Sequence, residues 1–434
     1  MRKNTGAYMA DTKVFGVSRF GIIRFFCAAL CFALLCLAST PTAHAQTYTI
    51  VHSFAGYPID GAGPNGELIQ DAAGNFYGTT NQGGANGGGT VFKLDPSGTV
   101  TILYDFTGGA DGAGPEAGLF RDTDGTFYGT TYAGGAYGFG TVFKLDTNNV
   151  LTTLYSFKGG SDGAHPEFRL ISIHGELYGT TKYGGSSTYC NGTGCGTIFK
   201  ITRGGNRTIL HRFYGYNNGA FPQGLVSDSV GNLYGTTTQG GSGVECLNFT
   251  QATGCGTIFK LDTAGGFTVL YVFNAISDVL PSGRLLRDAS GNLTGVLQGG
   301  SSTELGAVFR LHSNGTETML HRFGSGGGGW IPGAGLLDAS GTLYGTTLYG
   351  GDSNCKNPEG YNCGVLYEIG KTGQYTVLHR FAGSAAGDGA DPGVGQLTLG
   401  ADGSIYGVTQ YGGTGSCANT NTLSGCGVIF KYTP

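Results

Sequence analysis

The chain has 434 residues, a formal net charge of −4, 12% charged side chains and 85 glycines. A slightly acidic chain with sparse cations is a poor match for a phosphate backbone, so nucleic acid is not an expected partner. Glycine at this level without a strict three-residue period is not collagen; it points to regular turns between short strands.

Residues 1–45 carry Arg2, Lys3, Lys13, Arg19 and Arg24 against one acidic side chain, then an apolar run at 25–37 and the small-residue sequence Ala43-His44-Ala45. This is the pattern of a signal peptide cleaved after Ala45. The run is too short to cross a hydrocarbon core. Cys27, Cys31 and Cys36 leave with it, and Leu beside Cys36 argues against a lipoprotein signal. Of 24 basic and 28 acidic side chains, 19 and 27 remain in residues 46–434, a net charge of about −8. No second apolar span follows, so the expected product is a secreted monomer, extracellular or periplasmic, with no transmembrane segment after cleavage.

Residues 46–434 read as one domain of seven repeats. The centre of the unit is aromatic-Gly-Thr-Thr: Tyr77-Gly78-Thr79-Thr80, and then copies beginning at Tyr128, Tyr178, Tyr234 and Tyr344, with degenerate copies at Thr294 and Tyr406. Spacings run from 50 to 62 residues. A short apolar strand such as Leu68-Ile69 precedes each centre. A Gly-Gly pair follows it, then a strand like Gly89-Thr90-Val91-Phe92-Lys93-Leu94, and finally a strand ending in Phe, as at Phe106 and Phe157. Val100, Ile102, Tyr104 and Phe106 alternate with Thr101, Leu103 and Asp105, which gives this last strand one strongly apolar face. Four strands per unit with no helical period predict an all-β, seven-bladed β-propeller of four-stranded blades. An open solenoid would need distinct capping units. The last unit stops after three strands, whereas Thr49-Ile50-Val51-His52-Ser53-Phe54 precedes the first and matches the fourth-strand pattern of Thr376-Val377-Leu378-His379-Arg380-Phe381. The N-terminal strand should therefore complete the last blade beside residues 427–432.

The aromatic-Gly-Thr-Thr, the Gly-Gly, the Gly-Thr-Val-Phe-Lys and the loop Asp111-Gly112-Ala113-Gly114-Pro115, repeated across nearly all of residues 47–432, resemble the GloVer tandem repeat of exported bacterial proteins of the choice-of-anchor type. The architecture also resembles kelch-like propellers. The resemblance implies an exported repeat protein and supplies no catalytic residues. Family members with a carboxy-terminal anchor are surface-attached; this sequence ends instead in strand residues at 429–432.

Between the Gly-Gly pair and the next strand, copies 1, 2 and 5 have four or five residues, and copies 3, 4, 6 and 7 have ten to fourteen. All eight remaining cysteines fall in the long loops, two in each: Cys190 with Cys195, Cys246 with Cys255, Cys355 with Cys363 and Cys417 with Cys426. Four local disulfides are expected, in an oxidising compartment. Two thiols per loop with no adjacent histidine do not make a zinc site. Strands alternate in direction, so these loops and those between blades, such as Asp60-Gly61-Ala62-Gly63-Pro64, emerge on one face. The opposite face has tight turns such as Asp95-Pro96-Ser97-Gly98.

Asp60, Asp111, Asp162 and Asp388 in the interblade loops are read as turn caps. No cofactor is expected, and calcium is the one ion that these carboxylates would suit. His52, His211, His321 and His379 share one repeat position with Tyr104, Tyr155 and Tyr271, so they are spread around a ring and cannot meet on one metal. No Gly-x-Ser-x-Gly or His-Glu-x-x-His motif is present. Whether the chain is an enzyme is left open: Glu67, Glu116 and Glu167, near the start of the inner strands, are the candidates from which a carboxylate pair for polysaccharide hydrolysis or lyase chemistry could come at the axial mouth. A binding or scaffold module fits better. Its ligand, a glycan or a segment of an extracellular protein, would meet aromatic and polar residues of the loop face, including His165, Tyr189, Tyr216, Phe221, Phe249, Trp330 and Tyr361. A purely structural envelope protein is the third reading.

Overall fold

Packing dictates the glycine at the centre of the repeat. Gly78, in the strand Phe76–Gly83, pairs with Phe92 of the strand Thr90–Leu94, whose ring lies across it. A β-carbon on Gly78 would sit 2.7 Å from the tip of that ring and 2.8 Å from Leu68 of the innermost segment. Any side chain there would push three layers of the blade apart. Gly129, Gly179, Gly235, Gly295, Gly345 and Gly407 are held in the same way by Phe143, Phe199, Phe259, Phe309, Tyr367 and Phe430. The threonines beside the glycine have separate tasks. Thr80 Oγ1 meets Thr90 Oγ1 at 2.8 Å within the blade, and Thr79 Oγ1 donates to the Ala117 carbonyl of the next blade at 2.9 Å.

The structure is a computed structural model and describes residues 46–434 apart from 186–189, 242–253, 275–278, 300–304, 325–326, 356–361, 394 and 418–424. The repeats form seven antiparallel blades. Blade 1 runs outward through Ile69–Gln70, Phe76–Gly83, Thr90–Leu94 and Val100–Asp105. Blade 7 is made from both ends of the domain, in the order Thr398–Leu399, Ile405–Thr409, Val428–Thr433 and Thr47–Ser53. Thr47 pairs with Thr433 and Ser53 with Val428, and Phe54 N–H donates to Gly427 O at 3.0 Å. The N-terminal strand thus closes the ring as the sequence predicts. Among the described residues no helix is long and apolar enough to cross a membrane.

Each interface between blades is built on one aromatic pair, the Phe ending a fourth strand against the ring of the next blade's third strand. The seven pairs are Phe106–Phe143, Phe157–Phe199, Phe213–Phe259, Phe273–Phe309, Phe323–Tyr367, Phe381–Phe430 and Phe54–Phe92. Their centroids are 5.2 to 5.4 Å apart. The rings cross at steep angles, the arrangement that brings a positive edge to a negative face. The last pair again depends on the N-terminal segment.

Two features depart from the simple repeat. The alternation expected of the fourth strand breaks at a β-bulge in every blade, as between Val91 and Phe92 opposite Leu103 in blade 1. The extra residue increases the local twist, so Leu103 and Tyr104 are both half-buried. In blades 1, 4 and 6 the interblade loop also adds a short fifth strand, Gly61–Pro64, Ala220–Pro222 and Trp330–Pro332, against an extension of the second strand. Between that strand and the inner strand of blade 1, residues 65–68 leave the ladder and face the axis.

Candidate functional site

The seven blades meet the axis through two positions, the residue after each recurrent proline and the residue before each recurrent leucine. Prolines 64, 115, 166, 222, 281, 332 and 392 follow residues held at positive φ, between 52° and 61°, namely Gly63, Gly114, His165, Phe221, Leu280, Ile331 and Asp391. Each of these N–H groups donates to the preceding blade, for example His165 to Phe139 O at 2.9 Å and Phe221 to Cys195 O at 2.8 Å. Left-handed backbone is costly for a branched side chain such as Ile331, and the interblade hydrogen bond holds it there. The chain then turns inward, presenting Asn65, Glu116, Glu167, Gln223 and Ser282 to the axis.

On the face of the long loops these residues line a vestibule of about 720 Å³ that receives side chains from blades 1 to 6 and the backbone of Gly393 from blade 7. Its charge is concentrated on blades 2 and 3. Lys182 Nζ bonds Glu167 Oε1 at 2.8 Å, and Lys182 stands 5.5 Å from the centroid of the Tyr183 ring. Burial works against the Lys182 charge, but Glu167 outweighs it and raises the pKa. Glu116 has the opposite fate: burial, and then repulsion from Glu167 partly relieved by Lys182, push its carboxyl up to about 7. One carboxyl is therefore poised to hold a proton beside a lysine-paired carboxylate. Across the vestibule Leu280 and Leu348 give an apolar wall, while Gln223, Gln239 and Gln298 supply amides. This arrangement can hold a polyhydroxylated ligand by hydrogen bonds against apolar contact.

The sequence candidates separate accordingly. Glu116 and Glu167 share the vestibule, but Glu67 lies deeper, bonded to Arg169 at 2.8 Å and to Arg284 at 3.4 Å. Phe221 lines the vestibule. His165 packs 4.4 Å from the Tyr132 ring, and its Nδ1 lies 2.8 Å from Tyr132 O. Trp330 packs on Tyr349 at 4.7 Å, and Tyr216 is 61% exposed on the rim. Tyr189, Phe249, Tyr361 and Cys246 lie outside the described residues. Disulfides join Cys190 to Cys195, Cys355 to Cys363 and Cys417 to Cys426, and Cys255 is disulfide-bonded as well. The first of these bridges brings Cys190 and Thr193 to the vestibule wall.

The two loop sets share a face: Gly84 N–H, after the second strand, donates to Asp60 O of the interblade loop, as Gly135 does to Gly109 and Gly413 to Asp388. The loop aspartates cap turns. Asp60 Oδ1 accepts from the N–H groups of Ala55 and Gly56 at 2.7 and 2.8 Å, and Asp388 Oδ2 accepts from Ala382 N–H at 2.9 Å. Among the described residues, no three Asp, Glu, His or Cys side chains gather where an ion could be held. His379 stacks on Tyr48 at 3.5 Å and His211 on Phe267 at 3.7 Å, so these histidines join blades at the outer rim. Burial lowers the His211 pKa to about 4.

Lys182, Asn65, Gln223, Gln298, Arg169, Arg284 and Gln396 were not singled out by the sequence. The signal is in the alignment of the seven copies: these residues stand beside invariant repeat positions and differ from copy to copy. The whole repeating span, residues 39–249, 189–357 and 245–434, matches the Gloeobacter/Verrucomicrobia repeat. The chain belongs to that family. No curated protein matches it. Among solved structures, this family member is similar to the extracellular domain of a hybrid two component system from B. thetaiotaomicron, at 12% identity and a TM-score of 0.53, over 90% of this chain and 42% of that one. It therefore spans less than half the length of that protein domain, and the likeness shows the propeller fold alone. A gluconolactonase from Xanthomonas campestris aligns at 14% identity and a TM-score of 0.41, over 69% of this chain and 86% of the other.

Proposed function

We propose that the chain is an exported binding module whose axial vestibule, on the disulfide-loop face, holds a glycan outside the cytoplasm. The observation that carries this reading is the lining of the vestibule: a lysine-paired carboxylate, a second carboxyl, several amides, two leucines, and the rings of Tyr183 and Phe221. Sugars offer both hydroxyls and apolar ring faces, and this lining answers both. Export is supported by the leader pattern of residues 1–45 and by disulfides that an oxidising compartment maintains. The test is a glycan array probed with the mature protein. Binding should fall with Gln223→Ala or Lys182→Ala and persist with Asp95→Ala on the opposite face; a loss with Asp95→Ala alone would reject the site.

A second reading, polysaccharide hydrolysis, is favoured by the contrast between Glu116, raised to about 7, and its lysine-paired neighbour Glu167. A carboxyl that holds its proton near neutral pH, with a second carboxyl group close by, is what an acid role requires. Release of reducing ends by the wild type and not by Glu116→Gln would move the protein into that class.

A further inference from the structure

The axis is closed beneath the vestibule, and the closure restricts what can enter. Glu67, Arg169, Arg284 and Gln396 occupy one repeat position in blades 1, 3, 5 and 7, where blades 2, 4 and 6 have Gly118, Gly224 and Gly335. The alternation is steric. A β-carbon on Gly118 would lie 2.7 Å from Glu67 O, and one on Gly335 would lie 2.7 Å from the Gln396 β-carbon. The four long side chains fill the bore. Arg169 donates to Glu67 at 2.8 Å, Arg284 donates to Gln396 Oε1 at 2.6 and 2.9 Å, and Gln396 donates to Leu336 O at 2.6 Å. What remains between this plug and the vestibule is a cavity of about 60 Å³. That is room for about two water molecules and not for a sugar ring.

Asn65 stands at the boundary, lining both the vestibule and the small cavity. It is only 8% exposed, and its Oδ1 has no hydrogen-bond partner in the protein. A buried acceptor left without a donor is costly, and a hydroxyl brought by a ligand would satisfy it. Glu116 lines the same two spaces.

We infer that the vestibule is a dead end that takes the terminus of a glycan chain, with Asn65 and Glu116 on its floor reading hydroxyls of the last sugar. The inference rests on the glycan-binding reading. A polymer cannot thread the plugged axis, so its interior sugars do not reach the floor. One chain terminus therefore engages one protein, however long the chain.

The test is calorimetric titration of the unmodified mature protein with size-fractionated oligogalacturonides, cello-oligosaccharides and chito-oligosaccharides, each in short and long fractions. In the series that binds, the number of proteins bound per chain should stay constant as chains lengthen, and affinity expressed per chain should not rise. Asn65→Ala should weaken binding about tenfold, the scale of one buried hydrogen bond, with a melting temperature no lower than that of the wild type. Protein bound in proportion to chain length overturns this inference and leaves the glycan reading standing, as does an unaltered affinity in Asn65→Ala. Failure of all three series to bind removes the glycan reading and this inference with it.

Discussion

Phe54 tests ring closure against an internal control. It belongs to the segment that follows the first strand of the domain, yet it is wholly buried and meets Phe92 at 5.3 Å, just as Phe106 meets Phe143 at 5.2 Å between blades 1 and 2. If the N-terminal strand is an integral blade component, Phe54→Ala should cost as much as Phe106→Ala, about 3–5 kcal/mol for a buried Phe. An unfolding entropy of roughly 0.8 kcal/mol/K for a domain of this size converts that into a drop of about 4–6 °C in Tm. Scanning calorimetry of the two variants beside the mature protein gives the comparison directly. A terminal strand that frays would give almost no loss for Phe54→Ala while Phe106→Ala still falls, because frayed residues contribute nothing to the cooperative unit. That outcome would refute the closure argument.

Other perturbations address the site and the loops. The Glu116 carboxyl titrates near 7 when folded and near its ordinary 4.5 when unfolded, so between these values the folded state holds a proton that the unfolded state has lost. Stability should fall as pH rises through that window; Glu116→Gln should flatten the profile and be more stable above pH 7 by on the order of 2 kcal/mol, read by urea denaturation at several pH values. Reductant should lower Tm while far-ultraviolet circular dichroism keeps its β signal below the transition, because the bridges Cys190–Cys195, Cys355–Cys363 and Cys417–Cys426 close only short loops outside the blades. A chelator should leave Tm unchanged, since Asp60 and Asp388 already accept hydrogen bonds from backbone N–H groups; a clear drop would install calcium as a structural ion.

Much of the fold was legible because the same packing problem is solved seven times. The recurrent Gly-Thr-Thr, the strands ending in Phe and a surplus strand at one end matched by a deficit at the other are visible as repeated letters; the structure adds that the glycine lies under a ring and the Phe at a blade seam, and it puts the surplus strand where that arithmetic requires. The bulge opposite Phe92 was not legible: Thr101, Leu103 and Asp105 read as a regular alternate face, and an inserted residue leaves no distinctive side chain to reveal it. The site was only partly legible. Glu116 and Glu167 were named together with Glu67, but two residues of offset along the inner segment send Glu67 into the plug and leave the other two in the vestibule. Lys182, which pairs with Glu167, follows the second threonine of its repeat and reaches it from another strand, a proximity that depends on tertiary geometry.

The same contrast explains why the axis, and not the aromatic rim, is the place to look for function. Positions between blades are fixed by neighbours on both sides, so their residues repeat. The axial positions obey a different constraint, the sharing of a narrow bore, and there the copies diverge into carboxylates, guanidinium groups, amides and glycines. Divergence alone would be neutral drift on an open surface. Here it is accompanied by cost: His165, Phe221, Leu280 and Ile331 hold left-handed backbone that glycine occupies freely at Gly63 and Gly114, and Asn65 buries an acceptor without a donor. Exposed rings such as Tyr216 carry no comparable strain or desolvation. The strained residues before the prolines and the Asn65 acceptor lie together at one mouth of the axis, and a ligand that supplies the missing donor and contacts those side chains recovers part of what folding left unpaid.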